Sequence, residues 1–300
     1  MVGEIVAVGE NVKDKHIGQF VGVGCMVGAN CTDEHGARTC TSCTVDKDER
    51  YCAKGNIGTY GSPDETNGEQ HSTWGGYSTD IVVDSHFACP VPDFFKGENL
   101  KYASPILCAG ITVYTPLKRA GVTKGSKVGI NGIGGLGMYG IQIALALGAD
   151  VYAFTRSQSK VEDLMKLGCK EVILTTEDDQ VAKHRKTFDF ILDTVSADHN
   201  VNQLLDCIKY KGSFGLVGAS PTPLPISTFS LIMGDINFFG SLIGTIQDTI
   251  EVLQLCAEHK ICVPVEVIKP DEINEAYARM LKSDVKYRFS IDIEAMRNPQ

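Results

Sequence analysis

Residues 127–137 read Lys-Val-Gly-Ile-Asn-Gly-Ile-Gly-Gly-Leu-Gly, and the flanks of this stretch decide the fold. Val128 to Asn131 has the apolar character of a short buried strand. Gly132, Gly134, Gly135 and Gly137 follow at once, and the run MYGIQIALALGA then continues with helical period to Gly148. A second strand is expected over Val151–Thr155. The pattern predicts a βαβ unit with its glycines at the strand-to-helix turn. Glycines there permit a tight turn and let the backbone approach a pyrophosphate closely. The helix that follows offers free N–H groups and the positive end of its dipole to phosphates. A G-x-G-x-x-G spacing carries this meaning only inside a strand–turn–helix–strand context, which this sequence supplies.

The tip of the second strand speaks to the choice of dinucleotide. An NAD-binding unit places Asp or Glu about 20 residues after the glycines, on the ribose 2′-hydroxyl. Here the tip is Thr155, Arg156, Ser157, Gln158, Ser159 and Lys160, with no acid. Arg156 can hold a 2′-phosphate in forked geometry and Lys160 as a point charge. The residue types favour NADP(H). The plainer alternative is two solvated cations at a helix start, where cations are unfavourable unless an anion is present.

The 300 residues suggest two domains or one large one, and a hydrophobic content of 43% is ample for a sizeable core. A net charge of −9 argues against a nucleic-acid partner, and no polybasic patch or membrane-length apolar run occurs. The start, MVGEIVAVGENV, has neither the basic nor the apolar region of a signal peptide, so the expected setting is cytoplasmic. Strand character is expected over 2–9, 18–24 and 76–92, with a loop-rich, cysteine-bearing stretch over 31–73. From about residue 100 helix and strand patterns alternate to about residue 246, which predicts a doubly wound parallel sheet. The expected division is a β-rich domain over 1–110 and 247–300, interrupted by a nucleotide-binding domain over 111–246, an α/β protein as a whole.

Five of the eleven cysteines crowd into the first 52 residues. Cys40-x-x-Cys43, with Cys31 before and Cys52 after, offers four thiolates on one loop, the ligand set of a structural zinc. A redox pair is the alternative, but no thioredoxin-like pattern surrounds it. Cys25 reads as a sheet residue and a less favoured substitute ligand. Cys89, Cys169, Cys207, Cys256 and Cys262 read as core, and His16, His35 and His71 as solvated.

Several segments together resemble the zinc-dependent medium-chain alcohol dehydrogenases, in particular the cinnamyl-alcohol-dehydrogenase branch of NADP-dependent aldehyde reductases. They are VGEIVAVGENV, the cysteine loop ending ERYC, GGYS, SPILCAGITVYTPLK, GIGGLG, AFTRSQSKVEDLMKLG, DTVSADHN, LVGA and DVKYRFSIDI. The resemblance implies a GroES-like catalytic domain carrying an inserted Rossmann domain, a homodimer, and the interconversion of small aldehydes and primary alcohols with NADP(H). It implies cofactor contacts at Thr112, Gly132, Ile133, Gly134, Gly135, Leu136, Gly137, Thr155, Arg156, Ser157, Lys160, Thr194, Gly218, Ser241, Leu242 and Ile243. It further implies that Cys108 is a catalytic zinc ligand near the nicotinamide. The sequence departs from the family in two respects. Eight residues separate Cys31 from Cys40 and another eight separate Cys43 from Cys52, both longer than the family spacing. Family members also begin several tens of residues earlier, in a region that supplies another cysteine ligand and a Gly-His-Glu segment. The expectation is therefore an N-terminally truncated form of such an enzyme. The alternatives are a catalytically inactive NADP(H)-binding or oligomerising protein and a zinc-independent reductase, and the cysteines argue against the second of these.

Overall fold

The computed structural model describes residues 1–33, 37–64, 71–282 and 284–297. His35 therefore lies outside the described residues. The chain forms two compact units, Met1–Ile111 with Ile243–Gln300, and Thr112–Leu242.

The second unit is built on six strands: β1 (Lys127–Asn131), β2 (Asp150–Thr155), β3 (Glu171–Leu174), β4 (Phe188–Asp193), β5 (Ile208–Leu216) and β6 (Asn237–Gly240). They lie in the order β3-β2-β1-β4-β5-β6, and every pair is parallel. Ile130 faces Ala153 on one side and Leu192 on the other. Val128 to Asn131 is buried throughout, as a parallel strand covered on both faces requires. Helix α1 (Gly135–Ala146) crosses from β1 to β2. Phe154, Phe188, Ile191 and Phe214 are fully buried in the core beneath. The strand order reverses between β1 and β4, and a doubly wound sheet binds ligands outside the carboxyl ends of its strands at such a point.

The first unit is β-rich and divided into small sheets. Val2–Glu4, Phe20–Gly22 and Cys89–Pro90 form an antiparallel sheet. Met26–Ala29 pairs with Asn56–Gly58, and Val265–Ile268 lies parallel to Arg288–Ile291, joined through the helix Ile273–Leu281. The helix Leu100–Pro105 opens into a wide π-turn over Ile106–Gly110 before the helix Ile111–Arg119 begins. The helix Ile246–Glu258 starts on a capping box in which Thr245 and Asp248 satisfy each other's backbone N–H.

The structure departs from the sequence pattern in three places. Strand structure within 76–92 is confined to Cys89–Pro90, with a 3₁₀ turn at Ser85–Phe87. Ile81, Val82 and Val83 have strand composition, but Val82 is fully exposed, so no buried face recruits the segment. Strand β5 begins at Ile208, and its exposed Lys209, Tyr210 and Lys211 hide its first residues from an apolar pattern. Helices at Asp178–Ala182 and Thr228–Gly234 were not expected from the sequence. The second leaves Phe229, Ile232 and Met233 about 70% exposed.

Candidate functional site

In the second unit the glycine turn has the stereochemistry its motif demands. Gly132 has φ +86°, which L side chains rarely adopt. A Cβ on Gly137 would lie 2.0 Å from the Gly132 carbonyl oxygen, so the first turn of α1 closes onto the loop only with glycine there. A Cβ on Gly134 would meet nothing within 4 Å. The first N–H groups of α1 have no intrahelical partners and sit beside that open space. The turn thus fits a dinucleotide phosphate. Ile133 is buried beneath it and Leu136 is half-buried on the first turn of α1.

The strand tips around the turn carry further candidates. The Lys160 Nζ donates to the Ile133 carbonyl at 2.6 Å, so this cation is held against the glycine turn, and burial lowers its pKa. Arg156 is exposed, and Thr155 accepts from the Ser157 N–H at 3.2 Å. Thr194 Oγ1 lies 2.7 Å from the Gly132 carbonyl, and the Gly218 N–H donates to the Asp193 carbonyl at 3.1 Å. Ser241 donates through its N–H to the Leu216 carbonyl at the end of β5. Thr112 is half-buried in the helix Ile111–Arg119. Leu242 is half-exposed, and Ile243, with φ +34°, belongs to the first unit, where Arg50 donates to its carbonyl at 3.2 Å.

In the first unit Cys31, Cys40, Cys43 and Cys52 converge, with all four sulfurs within 4.8 Å of one another. The Cys40 and Cys52 sulfurs are 4.0 Å apart. Four thiolates about 2.3 Å from a zinc would be separated by about 3.8 Å, so the set fits a tetrahedral ion with little movement. The longer Cys31–Cys40 spacing is absorbed by an excursion. A bridge pairs Thr32 with Arg38, and the Thr39 N–H returns to the Cys31 carbonyl at 2.9 Å. Hydrogen bonds from the backbone of Cys40 and Thr39 hold the Cys31 thiol down at about 6, which favours its metal-binding thiolate. Burial pushes Cys43 up.

Cys108 sits in the π-turn and opens on a cavity of about 810 Å³ within the first unit, lined also by Cys25, Tyr60, Tyr77, Tyr277 and Arg288. A hydrogen bond from Cys25, and secondarily the Arg288 charge, hold its thiol down at about 6, while Cys25 is raised. The Cys25 sulfur lies 3.8 Å from the Leu107 carbonyl oxygen. A catalytic zinc requires three protein ligands. Among the described residues the only cluster of three or more metal-ligating groups is the four-cysteine set, so the residues at Cys108 do not complete a catalytic zinc site.

Sequence reasoning missed Cys25 and Arg288 as neighbours of Cys108, because 83 and 180 residues of chain separate them and no spacing records the contact. It also missed His199, which lies inside the DTVSADHN segment and reaches Asp193.

The comparisons with known proteins agree with this architecture. A family model described as a zinc-binding dehydrogenase matches residues 135–258, and one described as an alcohol dehydrogenase GroES-like domain matches residues 1–93. The aldehyde reductase YahK of Escherichia coli (strain K12) is 45% identical over 293 residues, 97% of this chain and 80% of that protein. The NADP-dependent alcohol dehydrogenase C of Mycobacterium bovis is 40% identical over 296 residues, 99% of this chain and 82% of that protein. A cinnamyl alcohol dehydrogenase from Sorghum bicolor superposes with a TM-score of 0.89 at 34% identity, covering 98% of this chain and 80% of that one. The CAD from Helicobacter pylori, complexed with NADP(H), gives 0.84 at 35% identity over 98% and 80%. The chain therefore belongs to the zinc-binding alcohol dehydrogenases, an oxidoreductase family in which a GroES-like domain accompanies a Rossmann domain.

Proposed function

We propose that this protein binds NADP(H) at the glycine turn of its Rossmann unit and interconverts aldehydes and primary alcohols by hydride transfer. One observation carries the cofactor choice. The β2 tip has no acid, and it presents Arg156 and Ser157 beside a Lys160 already anchored on the turn. A relative named as NADP-dependent and a structural neighbour complexed with NADP(H) support it. When bound, NADPH supplies the hydride. The chain's part is to seat the phosphates on the N–H groups of α1, to hold the 2′-phosphate at Arg156, Ser157 and Lys160, and to orient the remainder against Thr112, Thr194, Gly218, Ser241 and Leu242.

One zinc on Cys31, Cys40, Cys43 and Cys52 would organise the loop that carries them and take no part in the hydride step. A Lewis acid at Cys108 would stabilise the negative charge that builds on the carbonyl oxygen. That Cys108 has no three-ligand set among the described residues favours a second reading for these 300 residues, cofactor binding with little turnover. A homodimer paired through the outer edge of the parallel sheet is supported by the exposed Phe229, Ile232 and Met233 and by the edge position of β6. No helix among the described residues is long and apolar enough to cross a membrane; a four-cysteine set suited to hold zinc as thiolates supports a reducing, cytoplasmic setting.

Fluorescence titration of the purified chain with NADPH and NADH tests the central claim. NADPH should bind at least tenfold more tightly, and equal dissociation constants would overturn the cofactor assignment. NADPH oxidation followed with a panel of aldehydes separates the two readings of activity.

A further inference from the structure

The candidate cofactor contacts at the ends of β1, β4 and β5 lie around one buried acid, Asp193. Asp193, the last residue of β4, is fully buried. Its Oδ1 accepts from the Asn131 side-chain amide at 2.9 Å and from the Val195 N–H at 3.1 Å. Its Oδ2 lies 2.8 Å from His199 Nε2, and the other ring nitrogen, Nδ1, lies 2.8 Å from the Ala197 carbonyl oxygen. A carboxylate can only accept, so Nε2 is the donor to Asp193. The ring then closes residues 193–199 into a loop fastened at Asp193. A carboxylate buried this deeply needs all of its partners.

That loop shapes the turn around the expected phosphate seat. Thr194 Oγ1 donates to the carbonyls of Asn131 and Gly132 at 3.0 and 2.7 Å. The Val195 side chain fills the space beside Gly132, where a Cβ would lie 2.7 Å from it, and the Val195 carbonyl oxygen would lie 2.1 Å from a Cβ on Gly218. The glycine turn, the Thr194 loop and Gly218 are therefore positioned against one another; His199 draws the far end of the loop onto Asp193, while Ser196 accepts from the Ala219 N–H at 3.3 Å and Asp198 from Ser220 and Thr222. His199 is itself only partly exposed, at 16%.

We propose that His199 is a positioning residue for the dinucleotide. It holds Asp193 and the 194–199 loop in the arrangement that presents Thr194 and the Gly132 turn to the cofactor. The proposal rests on the reading that this crevice takes NADP(H). Sheet order gives it a distinctive consequence. Strand β2, whose tip carries the 2′-phosphate residues, lies on one side of β1, and β4 lies on the other. Loosening the β4 side should impair binding of the whole dinucleotide while sparing a fragment that needs only the β2 side.

The test uses the full chain with His199→Ala and His199→Gln, titrated with NADPH and with adenosine 2′,5′-bisphosphate. Amide hydrogen exchange of the cofactor-free proteins is measured in parallel. For His199→Ala we expect NADPH to bind about tenfold more weakly and the fragment less than about twofold. Exchange should rise at residues 132 and 194–199 and remain unchanged at the strand interiors. His199→Gln, whose amide can still donate to Asp193, should recover most of the NADPH affinity. Unaltered NADPH affinity in His199→Ala would overturn the proposal. So would an equal loss for both ligands, or faster exchange throughout the unit, because either would mark general destabilisation. If the unmodified chain binds neither ligand, the cofactor reading fails and a cofactor role for His199 fails with it. Exchange in the cofactor-free variants would still show whether the latch on Asp193 exists.

Discussion

Two alanine substitutions three residues apart in the glycine turn should have different consequences, because the space around the two positions differs. At Gly137 an added Cβ would stand 2.0 Å from the Gly132 carbonyl oxygen, whereas ordinary contact begins near 3.4 Å. The helix start and the turn would have to part by roughly 1.4 Å, the difference between those two distances. The obstacle is backbone, and the same oxygen accepts from Thr194, so the displacement would spread to the β4 loop. Overpacking of this kind costs about 1–3 kcal/mol. Alanine's better helix propensity returns at most about 1 kcal/mol. Gly137→Ala should therefore lower the melting temperature of the Rossmann unit by several degrees and weaken NADPH about tenfold or more, since about 1.4 kcal/mol is a factor of ten. At Gly134 nothing lies within 4 Å of the added carbon and φ is negative. The only cost to the free protein is a poorer helix cap, at most about 1 kcal/mol. If the open space belongs to the cofactor phosphates, the methyl group meets them, and Gly134→Ala should weaken NADPH at least about tenfold with little change in melting. Thermal unfolding and NADPH fluorescence titration read both effects. Undiminished NADPH affinity in Gly134→Ala would refute the placement of phosphate over that residue. Unchanged melting in Gly137→Ala would refute the closeness of turn and helix.

Other residues make independent demands. Changing Thr155 to Asp together with Arg156 to Gly should shift the preference toward NADH, because the new carboxylate repels a 2′-phosphate and can accept from a ribose hydroxyl; paired titrations that leave the NADPH:NADH ratio unmoved would contradict this. Metal analysis should find about one zinc per chain, lost in Cys43→Ser and on chelation, with proteolysis then cutting first within residues 31–73; less than half an equivalent in unmodified protein would count against the four-cysteine assignment. At the start of β4, burial raises the Asp189 pKa, but the Lys209 ammonium and the Lys127 N–H at 2.7 Å outweigh it and hold the carboxyl below its ordinary value. A depressed carboxylate stabilises the fold above its unfolded pKa of about 3.9, and that stability is lost as pH falls through the lower folded value. Asp189→Asn should thus lower stability at pH 7 and flatten its decline below about pH 4; an acid-unfolding curve with the slope of the unmodified protein would refute the sign.

The parts of the fold that were legible in the sequence are those in which one local pattern decides the outcome. The strand and helix on either side of Gly132–Gly137 carry their own period, so α1 and its neighbours fall within a residue or two of expectation. The four cysteines were legible for a similar reason, since thiolate spacing on a loop is a chemical signal whatever the loop's path. The path was not legible. The Thr32–Arg38 bridge that returns Cys40 to Cys31 depends on pairing rather than composition. Composition also misled at Ile81–Val83, because β-branched residues form strands only where a neighbour and a buried face exist. The π-turn at Ile106–Gly110 has no period of its own, yet it sets Cys108 at the wall of its cavity.

Contacts distant in sequence explain the rest, and they bear on how the candidate function divides between the two units. The proposed phosphate seat comprises Gly132, Gly134, Gly137, Thr194 and Lys160, all within Thr112–Leu242. The four-cysteine set and the Cys108–Cys25–Arg288 group lie within Met1–Ile111 and Ile243–Gln300. No residue of the phosphate seat is also a metal ligand. Stripping metal from Cys31, Cys40, Cys43 and Cys52 should therefore leave the NADPH dissociation constant within about twofold of its original value. Carbonyl chemistry has no such independence. In the proposed reaction the carbonyl would need charge stabilisation beside Cys108, in a cavity where the described residues offer the Cys25 thiol, the Arg288 guanidinium and the hydroxyls of Tyr60, Tyr77 and Tyr277. A guanidinium can hold an anion, but it lacks the open coordination position through which a metal polarises a carbonyl. Cofactor affinity and turnover should for that reason separate cleanly in this protein, with the first set by the glycine turn and the second by what completes the surroundings of Cys108.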